Sequence, residues 1–495
     1  LAGFNHSKGR HFKRSGASVQ GTLSNWVTKL VHSRIAEREK LKVSNRAWDL
    51  YLNDAMAHGI IDGLVAEVVN TGLTPQSHPM IRWLKKDANW QKEYQQAAYD
   101  LFEIWGLDCR NWCDATGRSS IYMLQALALF QWKLEGIGLF QVVMQNNPAR
   151  PLSLSILPID PGRLVTPSNA DGDIYDGIEL GKNGEIEAAW ILKPDKPHAV
   201  YAAKADDCIR VEAINSKTGM PNMLFVCDVR NVAEYRQDSI LGSMIKEIKD
   251  SNDFVDASLV KALIQNLWTL FVESEQGASF HNKPNDSWED RLQEMEKGTM
   301  IFGNPGEKPH FMDSNAPGPN YDMMNNSIIG RLGMATGRGP ENVSRSYKNS
   351  YSASRASIED AAKFDDYDRM ILANRFCQPV NVLMQYEAAL RGLLPVTSID
   401  HFIANQYAYT RTDWMPPKLR PIDHGKEAKA DTERLNNHTK TYSDIYGERS
   451  ENWRAKLRQA AIEQAYMQEL NAEFGINLQM ENDPGADAVP KEDKK

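Results

Sequence analysis

Apolar positions recur at helical spacing through residues 238–273: Ile240, Met244, Ile245, Ile248, Val255, Leu259, Val260, Leu263, Ile264, Leu267 and Phe271. The pattern predicts one helix of about 35 residues, on the order of 50 Å long. That length exceeds an ordinary globular core and suits a rod that reaches into an assembly. The alternative is a long core helix broken at Asp250-Ser251-Asn252-Asp253. Two further helical patterns follow, over residues 321–336 and 354–394. Pro379 is expected to kink the second, because proline lacks the amide donor and clashes with the preceding turn.

Shorter elements flank these rods. Residues 26–69 read as helical, with Ile60, Leu64 and Val68 on one face, Ile61 and Val65 beside them, and Asn70-Thr71-Gly72 as a stop. Residues 85–147 read as mostly helical and end in a strand-like run at 137–144. Residues 151–232 change to a β-rich module. It holds a strand at 153–159, a turn at Asp160-Pro161-Gly162, a hairpin of 178–180 with 186–192 around Asn183-Gly184, and a strand at 223–229. Residues 274–318 are turn-rich, with a small amphipathic helix at 288–295, a strand at 299–302 and a turn at 303–306. A strand is expected within 402–414, and charged helices at 423–437 and 441–474. Residues 1–25 form a basic, polar arm, and residues 481–495 have the composition of a disordered tail.

Chemistry-bearing motifs are sparse. Gly333-Met334-Ala335-Thr336-Gly337-Arg338-Gly339 is glycine-rich but lacks the Lys-Ser/Thr ending of a phosphate-binding loop, and it follows a helix rather than a strand. There is no nucleophile elbow and no His-Glu-x-x-His zinc motif. A two-metal nuclease needs acids converging from different elements. Glu359, Asp360, Asp365, Asp366 and Asp368 instead lie along one helix with Lys363 and Arg369 interleaved, and are expected on a solvated or interface face. The five cysteines are odd in number and scattered, which argues for a reducing compartment over a disulfide framework. Cys109 and Cys113 could share a helix face as half-buried thiols, with no further ligand pair for zinc. No run of about 18 apolar residues marks a membrane helix, and residues 1–14 lack the apolar centre of a signal peptide. These readings lead to no catalytic residue, no metal site and no cofactor. What remains is the segment 337–348, where Arg338, Arg345 and Lys348 sit among Gly, Ser, Asn and Tyr. That composition suits an exposed loop that touches a polyanion.

Several segments, in order, carry a family resemblance. Ser44-Asn45-Arg46-Ala47-Trp48-Asp49-Leu50 opens it. Ile159-Asp160-Pro161-Gly162-Arg163-Leu164 and Gly177-Ile178-Glu179-Leu180 with Gly184-Glu185-Ile186 follow, then 225–230 with Arg236. Asn349-Ser350-Tyr351-Ser352-Ala353-Ser354-Arg355-Ala356-Ser357-Ile358-Glu359 is the sharpest element, and Trp414-x-Pro416, Ile422-Asp423 and Lys426-Glu427 close the series. In this order and spacing the chain resembles the lambda-like family of tailed-phage portal proteins. One departure is Gln237 after Arg236, where the family usually has glycine.

The resemblance implies an α+β portal fold with long stem and tunnel helices, a β-rich wing module, a small α/β clip and a helical crown. It would place the wing at 26–235, stem helices at 238–273 and 319–336, and the clip at 274–318. The tunnel loop would be 337–353, the long bent helix and wing return 354–420, and the crown 421–480. It implies a homo-oligomeric ring of about twelve copies and double-stranded DNA in the channel. Other implied partners are the large terminase, major capsid and scaffold proteins, and a head–tail adaptor. The location would be the capsid vertex of the virion, after assembly in the host cytoplasm, with no membrane. The implied role is structural and not enzymatic: DNA is packaged by the terminase motor and later ejected. Arg338, Arg345 and Lys348 would touch DNA from the tunnel loop without reading bases, since phosphate contacts position but do not specify. The net charge of −8 disfavours a tight sequence-specific binder but suits a wall past which DNA slides, because each neutralised phosphate adds a salt-dependent brake. The competing readings are a DNA-packaging nuclease or other DNA-processing enzyme, and a capsid component without a channel.

Overall fold

The computed structural model describes residues 37–196, 203–232, 234–267, 271–274, 307–310, 320–347, 351–417, 424–449 and 451–475. Helices α1 (Glu37–Asn53) and α2 (Ala55–Val68) part at Asp54, whose carboxylate caps α2 by accepting the Ala57 N–H at 2.6 Å. Helix α2 buries Ile60, Ile61, Leu64 and Val68, as their spacing predicts. Asn70 (φ 50°) and Gly72 (φ 109°) then turn the chain into β1 (Thr74–Ser77). Next come α3 (Ile81–Leu84), α4 (Ala88–Gly106) and α5 (Ile121–Glu135). Because α4 ends at Gly106, Cys109 and Cys113 lie in the connection after it and share no helix face. Cys109 is exposed and Cys113 buried. Buried Asp114 organises that connection, accepting the backbone N–H groups of Thr116, Arg118 and Ser119.

The β-rich region forms two sheets. Strands β2 (Gly138–Met144), β3 (Leu154–Ile159) and β8 (Met223–Val226) pair antiparallel in the order β3-β2-β8. Strands β4 (Asp173–Tyr175), β5 (Ile178–Leu180), β6 (Ile186–Leu192) and β7 (Cys208–Glu212) form a four-stranded meander. Its β5–β6 pair is the expected hairpin, with Gly184 at φ 82° in the turn. Strand β8 stops at Val226, three residues before the end expected from the sequence.

The first rod is shorter than its periodicity suggests. A 3₁₀ turn (Ile240–Ser243) precedes α6 (Ile245–Leu267), which is 23 residues long and runs unbroken through Asp250–Asp253. Phe271 belongs to β9 (Phe271–Ser274), paired with β10 (Glu307–His310). The helix, strand and turn expected over 288–306 lie outside the described residues. Helix α7 (Asn320–Thr336) begins one residue before its expected start, and α8 (Pro340–Ser344) occupies part of the expected loop. Helices α9 (Tyr351–Leu372) and α10 (Gln378–Leu390) are joined by a π-helical turn (Ala373–Cys377). That turn widens the hydrogen-bond ladder just before Pro379, so the helix accommodates the missing donor there. Short helices α11 (Ile399–Ala404) and α12 (Gln406–Thr410) take most of the region expected to contain a strand; β11 (Thr412–Met415) follows and pairs with β1. The charged end is α13 (His424–Asn436), α14 (Tyr442–Gly447) and α15 (Trp453–Phe474). The second expected helix is interrupted before Asn452, which caps α15.

The fold is thus mixed, with helices packed on small antiparallel sheets. The main core joins α4, α5, β2, β3, β8 and α10 around Tyr94, Trp105, Phe140 and Phe376. Two buried polar side chains within it are paired: Trp105 Nε1 donates to the Leu154 carbonyl at 2.9 Å, and Glu387 accepts the Ser153 and Leu154 N–H groups at 2.8 Å each. A second core brings α1, α2 and α5 against the roots of α6 and α7 through Ile61, Leu64, Leu134, Leu241, Ile248 and Leu332.

Candidate nucleic-acid interface

The segment that carries the candidate cations is built more tightly than an exposed loop. Helix α7 closes with Gly337 at φ 72°, where the Gly337 N–H meets the Met334 carbonyl at 3.4 Å and the Arg338 N–H meets the Gly333 carbonyl at 2.8 Å. This pair of hydrogen bonds around a left-handed glycine is a Schellman closure. A β-carbon at Gly337 would run into the Phe364 ring of α9, so glycine is required for both conformation and space. Pro340 then opens α8, whose first turn needs no proline donor. Arg345 ends α8 in a left-handed conformation, φ 51°, with its N–H on the Glu341 carbonyl. None of the five residues of α8 is buried.

The three cations meet different fates. Arg338 is 9% exposed and forms ion pairs with Glu67 on α2 and with Asp365 on α9. This corrects the expectation that it faces DNA from an open loop: a guanidinium between two carboxylates on two helices is enclosed by the fold. Its Nε has no hydrogen-bond partner among the described residues. Arg345 is exposed, and its Nη2 lies 3.4 Å from the Gly59 carbonyl of α2, beside Gly63, where the missing side chains leave room. Most of its five donors have no partner among the described residues. Lys348 lies outside the described residues.

The acids of α9 are likewise divided. Glu359, Asp360 and Asp366 are exposed, as expected. Asp365 and Asp368 are buried within the protomer, which corrects the expected solvated or interface face at those two positions. Asp368 pairs with Lys133 of α5 at 2.7 Å, and the Lys133 amine also sits over the Trp132 ring. Arg369 donates to the Val68 and Glu67 carbonyls, capping the C-terminal end of α2. The hydroxyl of Tyr367 donates to Asp228 at 3.0 Å, just beyond β8. One face of α9 therefore holds α2, α5, the segment after β8 and the α7–α8 junction together.

Burial sets the electrostatics. It pushes the Asp365 carboxyl above its usual range, opposed by the Arg338 and Arg369 guanidiniums. It pulls the Lys133 amine below its usual range, opposed by Asp368. It also lowers Arg338, opposed by Asp365 and Asp368, and an arginine keeps its charge in such a setting. Glu67 and Lys133 are the residues that sequence reasoning passed over. Their signal was present: each is a lone charge in an otherwise apolar helical run, Gly63 to Val69 and Ile121 to Leu134 respectively. Such a charge must find a partner, but helical spacing alone does not name it.

The family described as phage portal protein, lambda family, matches residues 21–367. That span takes in Glu67, Lys133, all three candidate cations and Asp365. Among solved structures, the fold is similar to a chain from the neck of a native gene transfer agent particle computed with C12 symmetry. The identity is 10%, with 85% of this chain and 98% of that chain covered and a TM-score of 0.42. A chain from the virion of a native gene transfer agent particle matches at 10% identity, over 82% and 89% of the two chains, with a TM-score of 0.41. A HK97-family phage portal protein from Corynebacterium diphtheriae matches at 10% identity, over 75% and 100%, with a TM-score of 0.32.

Proposed function

Because this chain belongs to the lambda family of phage portal proteins, and so serves as the portal of a capsid, we propose that about twelve copies close into a ring around double-stranded DNA. The family match over residues 21–367 is the observation that carries this reading. In it, α6 and α7 line the stem, β9 and β10 begin and end the clip, and α13 to α15 build the crown. The clip meets the terminase motor during packaging and the head–tail adaptor afterwards. Capsid and scaffold proteins seat the ring at one vertex, and assembly takes place in the host cytoplasm.

Two features of the protomer support the proposal. Val255, Leu259 and Val260 on α6 and Met323 and Met324 on α7 are exposed apolar side chains. In a cyclic assembly each copy offers one face to the next, and the heterologous contact covers such residues. Arg345 presents its guanidinium to solvent at the end of α8, and with Lys348 it contacts phosphates without selecting sequence. A net charge of −8 per chain keeps the wall repulsive to DNA, so the few cations centre the duplex without stopping it. ATP hydrolysis is supplied by the motor.

Particle mass and negative-stain imaging test the ring. The expected result is a particle of about 670 kDa with a central hole, for about twelve chains of 55.9 kDa. A protomer that stays monomeric even with scaffold and capsid proteins present, and cuts DNA when divalent metal is added, overturns the reading.

A further inference from the structure

We propose that Arg338 is a positioning residue: by bridging Glu67 and Asp365 it fixes the direction in which α8 carries Arg345 toward DNA. The inference rests on the reading that Arg345 contacts phosphates, and it gives the buried arginine a part in that contact without touching DNA itself.

Three observations lead here. First, α8 is short and shallowly held: five residues, none fully buried, with Val343 partly buried against the second core. Its ties to α9 are polar, from the Asn342 amide to the Ser357 carbonyl and from the Ser357 hydroxyl to Glu341. Second, only Gly337, Arg338 and Gly339 separate α7 from α8, so the junction sets the direction of the short helix. The junction is held at each residue, since Gly337 lies against Phe364, the Arg338 N–H bonds the Gly333 carbonyl, and Gly339 lies against Ser357. Third, the side chain at the centre of the junction spans two helices that are distant in sequence. A guanidinium is a rigid fork whose two ends can hold one carboxylate each, whereas an ammonium on a flexible stem cannot hold this geometry.

The energetics point the same way. Replacing both members of a buried ion pair by apolar residues of similar volume is often neutral, because desolvation of the charges offsets their attraction, whereas removing one member strands the other charge. What the charged fork adds is a defined geometry. Arg338→Met, made throughout together with Asp365→Leu so that no carboxylate is left buried without its partner, should therefore keep the protomer folded while loosening α8, and Arg338→Lys should loosen it less.

The test uses assembled rings and a short double-stranded DNA oligonucleotide titrated at several salt concentrations. Arg345→Ala is expected to weaken binding roughly threefold to tenfold and to flatten the salt dependence. Arg338→Met should weaken it to a similar extent, Arg338→Lys less, and Arg338→Met combined with Arg345→Ala no more than Arg345→Ala alone. Hydrogen exchange supplies the second readout: the amides of Asn342, Val343 and Ser346 should exchange faster in Arg338→Met at an unchanged melting temperature. Unchanged exchange at α8 overturns the positioning role whatever the DNA titration shows. Additive losses in the double variant also overturn it, since Arg338 would then act independently of Arg345. If Arg345→Ala binds DNA as the native ring does, the phosphate-contact reading fails and the functional half of this proposal falls with it. Faster exchange in that case would still mark Arg338 as the anchor of α8.

Discussion

Ile248 and Leu259 lie on the same helix, α6, eleven positions apart, which brings them within about 20° of the same face. Ile248 is 1% exposed and Leu259 is 58% exposed. Val255, between them on the same stripe, is also open. At its root the stripe closes on Leu241, Met244 and Leu332 in the second core. Farther along, the helix has left the body and has chiefly α7 for company, with Phe254 stacked on Tyr321 at 5.5 Å. One periodic pattern thus contains two environments. The root is stabilised within the protomer, and the outer part keeps an apolar face for which the proposed ring supplies a neighbour.

The contrast is sharpest in mutational cost. Ile248→Ala should destabilise the isolated protomer by about 3 kcal/mol, the lost transfer energy plus a cavity. Thermal or denaturant melting measures it, and a shift below about 0.5 kcal/mol would mean that the root is not packed as described.

A second expectation concerns the same packed end, through Glu135 at the close of α5. Burial first, and Asp160 second, push its carboxyl from the ordinary 4.5 up to about 7, against the pull of Arg236. The folded state therefore binds a proton that the unfolded chain has released. The associated stability is full below about pH 4.5 and is lost as pH rises through about 7. Glu135→Gln removes this dependence. Relative to the native protein it should gain about 2 kcal/mol between pH 5 and pH 8, read from paired melting curves. Parallel curves at the two pH values would show that the carboxyl is solvated.

The smallest effect on the protomer should come from the outer stripe. Val255→Ser with Leu259→Ser should change protomer stability by no more than about 0.5 kcal/mol, as exposed substitutions do. Ring yield should nevertheless fall in a sedimentation assay. Rings formed in native amounts would show that these side chains are not part of the contact between copies.

The same division between pattern and environment governs what could be read from the chain. Asn183-Gly184 between two short apolar runs specifies a hairpin locally, and β5 and β6 pair as expected. Residues 321–336 differ from α7 by one residue, because the periodicity runs to the Gly337 stop. Residues 238–273 were harder: apolar spacing continued across the 3₁₀ turn and into β9, so period alone could not mark where α6 begins and ends. The region 402–414 holds the expected strand at its end, β11, while the rest folds as α11 and α12, which are too short to show a helical period.

Sequence by itself therefore determined the order of the long helices around the β-rich module, the absence of familiar catalytic motifs and, through its ordered short segments, the family. These depend on residues close together in the chain, where spacing and turn chemistry act directly. Tertiary structure alone decided which charges face inward. Arg338 and Arg345 are both cations in one polar segment, yet only Arg338 meets two carboxylates from separate helices. Arg369 reaches the backbone of α2 across 302 positions of sequence. Burying such charges is favourable only where their partners converge, and that convergence is a property of the folded chain.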